Sequence, residues 1–129
     1  MPIRTQLAYP LKDFMNGVDF LRDKTDKRQV VLSYVTAGNF IPAYAGNYVY
    51  IGHANTPDEE EKEKIVERFF KGEMSKEEGR NFINKERVNY IYYGPQEKEL
   101  GGIDKLETKY PFLQDVYNNP QVVIYKITK

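Results

Sequence analysis

The chain has 129 residues, the usual size of a single domain, and its 19 Lys and Arg residues balance its 19 Asp and Glu residues. Zero formal charge removes the field that recruits nucleic acid, so we expect no nucleic-acid partner. With no Cys, a single His and no run of about 20 apolar residues, we predict a soluble domain of residues 1–129 without metal or cofactor.

The first half of the ordered core, expected over about residues 10–127, begins with an amphipathic helix. Residues 10–24 carry apolar side chains three and four apart, which predicts one buried stripe. The stripe consists of Leu11, Phe14, Met15, Val18 and Leu21. The apolar run at 30–35 predicts a buried strand, and Thr36 then opens a short helical segment that ends at Gly46.

Two helices are predicted between the second and third strands. The β-rich segment 48–52 is followed by a helix start signal. Thr56 is the predicted N-cap, Pro57 a first-turn proline and Glu59 the capping-box glutamate. Ser75 and Glu78 repeat the capping-box pattern before the strand at 88–93. These signals predict helices that end near Gly72 and before Val88.

The C-terminal third is predicted to be a polar loop and a hairpin. Residues 94–111 are rich in Gly and polar residues, which favours a loop with one helical turn. Two β-type runs flank the segment NNPQ and indicate an antiparallel hairpin. The predicted fold is therefore α/β: a small three-layer Rossmann-like sheet with three mainly parallel strands and a C-terminal hairpin.

Ligands of such sheets bind beyond the carboxyl ends of the strands. That edge would gather residues after each of the three predicted strands. They are Thr36, Ala37, Gly38, Asn39, His53, Asn55, Gly94, Pro95 and Glu97. Glycine-rich phosphate loops of the GxGxxG or GxxxxGK[ST] type are missing from the sequence, so this edge is not predicted to bind a nucleotide.

A structural role competes with the ligand-binding role at each of these positions. Gly38, Asn39, Gly94 and Pro95 belong to the residue types that form caps and turns, and we favour that role about two to one. His53 has the side chain of a general base, but a single His at a strand end more often caps a helix. We therefore predict no catalytic residue in the chain.

Several ordered blocks resemble a known kind of protein. They are VVLSYVTAGNFIPAYAGNYVYIGH, TPDEEEKEKIVERFFKGEMS, VNYIYYGPQEKELGG and VYNNPQVVIYKI. Over about residues 11–127 the chain resembles the C-terminal soluble domain of multi-spanning membrane proteins related to dolichyl-phosphate-mannose-protein mannosyltransferases. The resemblance implies that the catalytic carboxylates and the lipid-linked donor site belong to membrane spans that this sequence does not contain.

The resemblance also implies partners and a location. The matching blocks place Gly38, Asn39, Pro42, His53, Gly94, Pro95 and Glu97 at a possible ligand-binding edge. The expected partners are the membrane-embedded part of a parent chain and a sugar or peptide acceptor. The parent would lie in the cell membrane, with this domain on the extracytoplasmic side.

Three functions remain open from the sequence. The first is an accessory domain that is non-catalytic in isolation. The second is a free-standing small-molecule-binding module or enzyme built around Asn39, His53 and Glu97, and the third is a purely structural protein-interaction domain. Turnover by the isolated chain would distinguish the second function from the other two.

Overall fold

The computed structural model describes residues 11–51 and 59–128. The helices are α1 (Leu11–Lys24), α2 (Val35–Tyr44), α3 (Glu59–Phe70), α4 (Lys76–Lys85) and α5 (Pro95–Gly101), with a 3-10 turn at Leu106–Thr108. The strands are β1 (Val30–Leu32), β2 (Tyr48–Val49), β3 (Val88–Tyr93), β4 (Leu113–Asn118) and β5 (Val123–Ile127). The predicted mixed α/β class is confirmed.

The five strands form one sheet in the order β2-β1-β3-β5-β4. β1 pairs in parallel with β2 on one side and with β3 on the other. β5 pairs antiparallel with both β3 and β4. The turn between β4 and β5 is held by Asn119, whose Oδ1 accepts hydrogen bonds from the N–H groups of Gln121 and Val122 at 3.0 and 2.9 Å. This bonding explains why the Asn-rich segment ends one strand and starts the next.

Alternate residues of β3 enter two different hydrophobic clusters, one on each face of the sheet. Tyr90 and Tyr92 pack in the cluster that contains Val18 and Leu21 of α1, together with apolar residues of α2. Ile91 and Tyr93 pack in the cluster formed with α3 and α4. Alternation of side chains along a strand produces this division, as predicted from the sequence.

The large aromatic side chains of the core also anchor the backbone. The Tyr92 hydroxyl donates to the carbonyl of Phe14 in α1 at 2.8 Å, and the Tyr93 hydroxyl donates to the carbonyl of Ile103. Both rings are fully buried. A buried tyrosine needs a hydrogen-bond partner for its hydroxyl, and here each partner is a carbonyl outside the sheet. The two rings therefore tie α1 and the segment after α5 to opposite faces of β3.

Several local signals act as the sequence predicts. The Ser75 side chain caps α4 by accepting a hydrogen bond from the Glu78 N–H at 3.0 Å. Gly46 and Gly72 have φ angles of 85° and 74°, the left-handed conformation expected after a helix. The capping residues predicted at 56–58 lie outside the described residues.

Other local predictions need correction. The first strand ends at Leu32, because Tyr34 already serves as the N-cap of α2 and places Thr36 inside that helix. Part of the predicted loop at 94–111 is the helix α5, which starts at Pro95 in a first-turn position that suits its fixed φ. Leu11 is 67% exposed, since the buried part of α1 starts only at Gly17.

Candidate functional site at the carboxyl ends of the strands

The described members of the predicted ligand-binding set lie in two helices or cap one of them. Gly38, Asn39 and Pro42 lie inside α2. Gly94 is the N-cap of α5, and Pro95 and Glu97 lie in its first turn. His53 and Asn55 lie outside the described residues.

Glu97 connects the segments that follow β1 and β3. Its Oε2 accepts a hydrogen bond from the Tyr34 N–H at 2.6 Å, and its Oε1 accepts one from the Gly94 N–H at 3.0 Å. The side chain is almost fully buried. Tyr34 and Gly94 are the N-caps of α2 and α5, so one carboxylate serves the first turns of two helices.

Gln96 adds a second contact between the same helices. Its Oε1 accepts a hydrogen bond from the Thr36 N–H at 2.9 Å. The N-cap residue Tyr34 makes no capping hydrogen bond with its own side chain. The start of α2 is thus capped by residues about sixty positions later in the chain, and we call Tyr34, Thr36, Gly94, Gln96 and Glu97 the strand-end clamp.

Gly94 allows the close packing of the clamp. A Cβ atom at this position would come within 3.0 Å of the Tyr92 ring and 3.3 Å of Glu97 Oε1. Glycine therefore lets the backbone approach the carboxylate closely enough to donate its N–H. The short Gly94-Pro95-Gln96-Glu97 segment supplies both the bend and the acid.

Burial changes the acidity of Glu97. Removal from water raises the pKa of Glu97 to about 7, while backbone N–H donors at Tyr34, Glu97 and Gly94 partly offset the rise. Burial raises the pKa of the Tyr92 and Tyr93 hydroxyls of β3, and the charge of Glu97 adds to the rise at both. Among the described residues of this edge, Glu97 therefore has a pKa that burial raises to near neutral pH.

The clamp leaves Glu97 little capacity for chemistry on a ligand. Each carboxylate oxygen already accepts a backbone N–H, and the nearby surface depression is not lined by Glu97. That depression is formed by Pro95, Lys98, Glu99, Gly102, Asp104 and Gln121. Within residues 11–51 and 59–128, no group of three or more His, Asp and Glu side chains could hold a metal ion.

Tyr34 is a member of this edge that sequence reasoning missed. Its hydroxyl lies 2.6 Å from Glu67 Oε2 and 3.2 Å from Glu63 Oε1, both on α3. Burial and these carboxylates raise the pKa of the Tyr34 hydroxyl. The Gly-Pro-x-Glu spacing could have indicated the α5 cap, but no sequence signal joins Tyr34 to Glu97 across 63 positions. Ligand binding at this edge stays a prediction.

A comparison with solved structures identifies a similar fold. The crystal structure of the C-terminal globular domain of an oligosaccharyltransferase from Archaeoglobus fulgidus matches with a TM-score of 0.64 and 14% sequence identity. The match covers 90% of this chain and 97% of that chain. No protein-family model matches the chain, and no curated protein matches it. At this identity the similarity establishes the fold and leaves the function to be argued separately.

Among the helices of residues 11–51 and 59–128, none has the length and hydropathy that a membrane span requires.

Proposed function

We propose that this chain is an extramembrane accessory domain of a membrane glycosyltransferase-like protein, and that it does not carry out the transfer reaction by itself. The observation that carries the proposal is the fold match to the C-terminal globular domain of an oligosaccharyltransferase, which spans nearly all of both chains. The proposal also includes a relation to dolichyl-phosphate-mannose-protein mannosyltransferases and a Rossmann-like, three-layer arrangement of the sheet with three mainly parallel strands.

The strand-end clamp supports a non-catalytic role. A general acid or base needs a proton position that faces the substrate. Both oxygens of Glu97 instead accept hydrogen bonds from the backbone of its own domain. We therefore expect the isolated domain to bind a sugar or peptide acceptor at most, without turnover.

Exposed aromatic side chains support docking onto another part of a membrane protein. Tyr44 at the end of α2 is 53% exposed and Tyr48 in the edge strand β2 is 65% exposed. The Phe40 ring stacks on Tyr44 with 5.7 Å between ring centroids. Large exposed aromatics are enriched at protein interfaces, so we assign this edge to contact with the membrane-embedded part of the parent chain.

The test is to find the domain in cells of its source organism. An antibody against the purified domain should detect a membrane-bound polypeptide that is much longer than 129 residues and that resists extraction by alkaline carbonate. A soluble band of the size of this chain would overturn the proposal. Sugar transfer or hydrolysis by the isolated chain, lost in Glu97→Gln, would favour a free-standing enzyme instead.

A further inference from the structure

A second polar depression lies at the opposite edge of the sheet, near the amino ends of β1 and β3. Its volume is about 470 Å³, and it contains two cationic side chains and no carboxylate. It is lined by Gln29, Arg80, Asn84, Val88, Asn89, Lys126, Ile127 and Thr128. We call it the amino-end depression.

The amide side chains of Gln29, just before β1, and of Asn89 in β3 have their oxygens occupied. Gln29 Oε1 accepts a hydrogen bond from the Asp26 N–H at 2.9 Å. Asn89 Oδ1 accepts one from the Val30 N–H at 2.8 Å. The register between β1 and β3 is irregular here: Val30 pairs with Val88 and Val31 with Tyr90, so Asn89 is skipped. Because the oxygen of each amide is fixed by the backbone, the NH2 group is the part left for a ligand.

The cations add further donors. Arg80 is held by the Phe112 ring, 5.5 Å from its guanidinium carbon, and by a 3.4 Å hydrogen bond from Nη2 to the carbonyl of Thr128. Neither Arg80 nor Lys126 forms an ion pair with another described residue. The carboxylate beside Gln29, that of Asp26, is paired with Arg28 at 3.3 Å. The depression thus presents amide, guanidinium and ammonium donors together.

We propose that the amino-end depression binds an oxyanion of the phosphate class through Arg80, Lys126 and the amide NH2 groups of Gln29 and Asn89. A guanidinium and an ammonium supply the charge, and the two amides supply neutral donors whose direction is set by the backbone. The phosphate is that of a free ion, of a soluble sugar phosphate or of a lipid headgroup. The site stands whether or not the domain belongs to a membrane glycosyltransferase.

The experiment is an NMR titration of the 15N-labelled chain with inorganic phosphate at constant ionic strength, with sodium chloride as the matched salt. The side-chain NH2 resonances of Gln29 and Asn89 should shift and saturate with phosphate and stay in place with chloride. Vesicles containing phosphatidic acid, compared with vesicles of phosphatidylcholine alone, then tell a lipid headgroup from a free phosphate. Equal shifts with chloride, or none at millimolar phosphate, would overturn the proposal.

Three variants localise the effect. Lys126→Gln should weaken phosphate binding about tenfold, the loss expected for one charge-assisted contact. Lys85→Gln removes the same charge from an exposed position of α4 outside the depression and should leave binding unchanged. Asn89→Asp keeps an oxygen for the Val30 N–H and replaces the donor with a negative group, so binding should be lost while the Val30 amide resonance persists. Equal weakening by both lysine variants would contradict a local site.

Discussion

The two ends of the sheet use similar polar side chains in different ways. At the carboxyl end, the oxygens of Glu97 and Gln96 accept backbone N–H groups of Tyr34, Gly94 and Thr36, which closes the edge around two helix starts. At the amino end, the oxygens of Gln29 and Asn89 also accept backbone N–H groups, but each amide carries a second, donating group. The two ends therefore differ in Glu97, a buried acid whose two oxygens both serve the fold. At the amino end, Gln29 and Asn89 each keep an NH2 donor in a depression that two cations also line.

This difference locates stability and binding at opposite edges. We predict that the polar contacts of the carboxyl edge, where α/β sheets usually bind ligands, contribute more to the free energy of unfolding than those of the amino edge. The amino edge is predicted to contribute more to phosphate binding. Four substitutions or conditions test the comparison, from the largest expected effect to the smallest.

The largest effect is expected for Glu97→Ala. The variant leaves the Tyr34 and Gly94 N–H groups without their acceptor, and each such group costs about 1–3 kcal/mol. At about pH 5, where the folded state still holds the proton of Glu97, the free energy of unfolding should fall by about 3 kcal/mol in urea denaturation followed by circular dichroism. A loss no greater than that of Asn89→Ala would remove the proposed difference between the two edges.

The pH dependence of stability should carry the signature of Glu97. Its pKa is about 7 in the folded chain against an ordinary 4.5, so the folded state holds the proton more tightly than the unfolded state does. The stabilisation that Glu97 contributes is therefore complete below pH 4.5 and is lost as the pH rises through about 7. The stability difference between the natural chain and Glu97→Gln should shrink by up to about 3 kcal/mol across that window. A difference independent of pH would contradict the assignment.

A smaller loss is expected at the amino edge. Asn89→Ala removes one acceptor, that of the Val30 N–H in a half-buried position, and should lower the free energy of unfolding by about 1 kcal/mol. Asn89→Asp retains the acceptor and should recover most of that stability. Thermal unfolding of the two variants side by side measures the contrast, and an equal loss in both would show that the bond to Val30 contributes nothing.

The smallest effect is expected for Gln96→Ala. The Thr36 N–H that it caps is exposed to water, which replaces the lost acceptor, so the expected loss is about 0.5 kcal/mol. Urea denaturation of Gln96→Ala and Glu97→Ala under the same conditions should therefore separate the two contacts of the clamp. A loss as large as that of Glu97→Ala would mean that the first turn of α2, rather than the buried acid, stabilises this edge.

The sequence predicts what depends on nearby residues. Alternation in β3 predicts that Tyr90 and Tyr92 face away from Tyr93, and Ser75 with Glu78 predicts the start of α4. Contacts between distant segments leave no such pattern, so the capping of α2 by Gln96 and Glu97 could not be foreseen. The same reason hides the amino-end depression, which is lined by residues of α4, of β3 and of β5 together with Gln29 just before β1.

The most direct test compares both edges in one measurement. Phosphate, monosaccharides, nucleotide sugars and short peptides are titrated into the 15N-labelled chain, and the shifts are mapped on the backbone and side-chain amides. The account predicts that phosphate-bearing ligands move Gln29 and Asn89, while the amides of Tyr34 and Gly94 stay in place. Saturable shifts at Tyr34 and Gly94, with none at Gln29 and Asn89, would show that the carboxyl edge is the ligand site and would contradict the account.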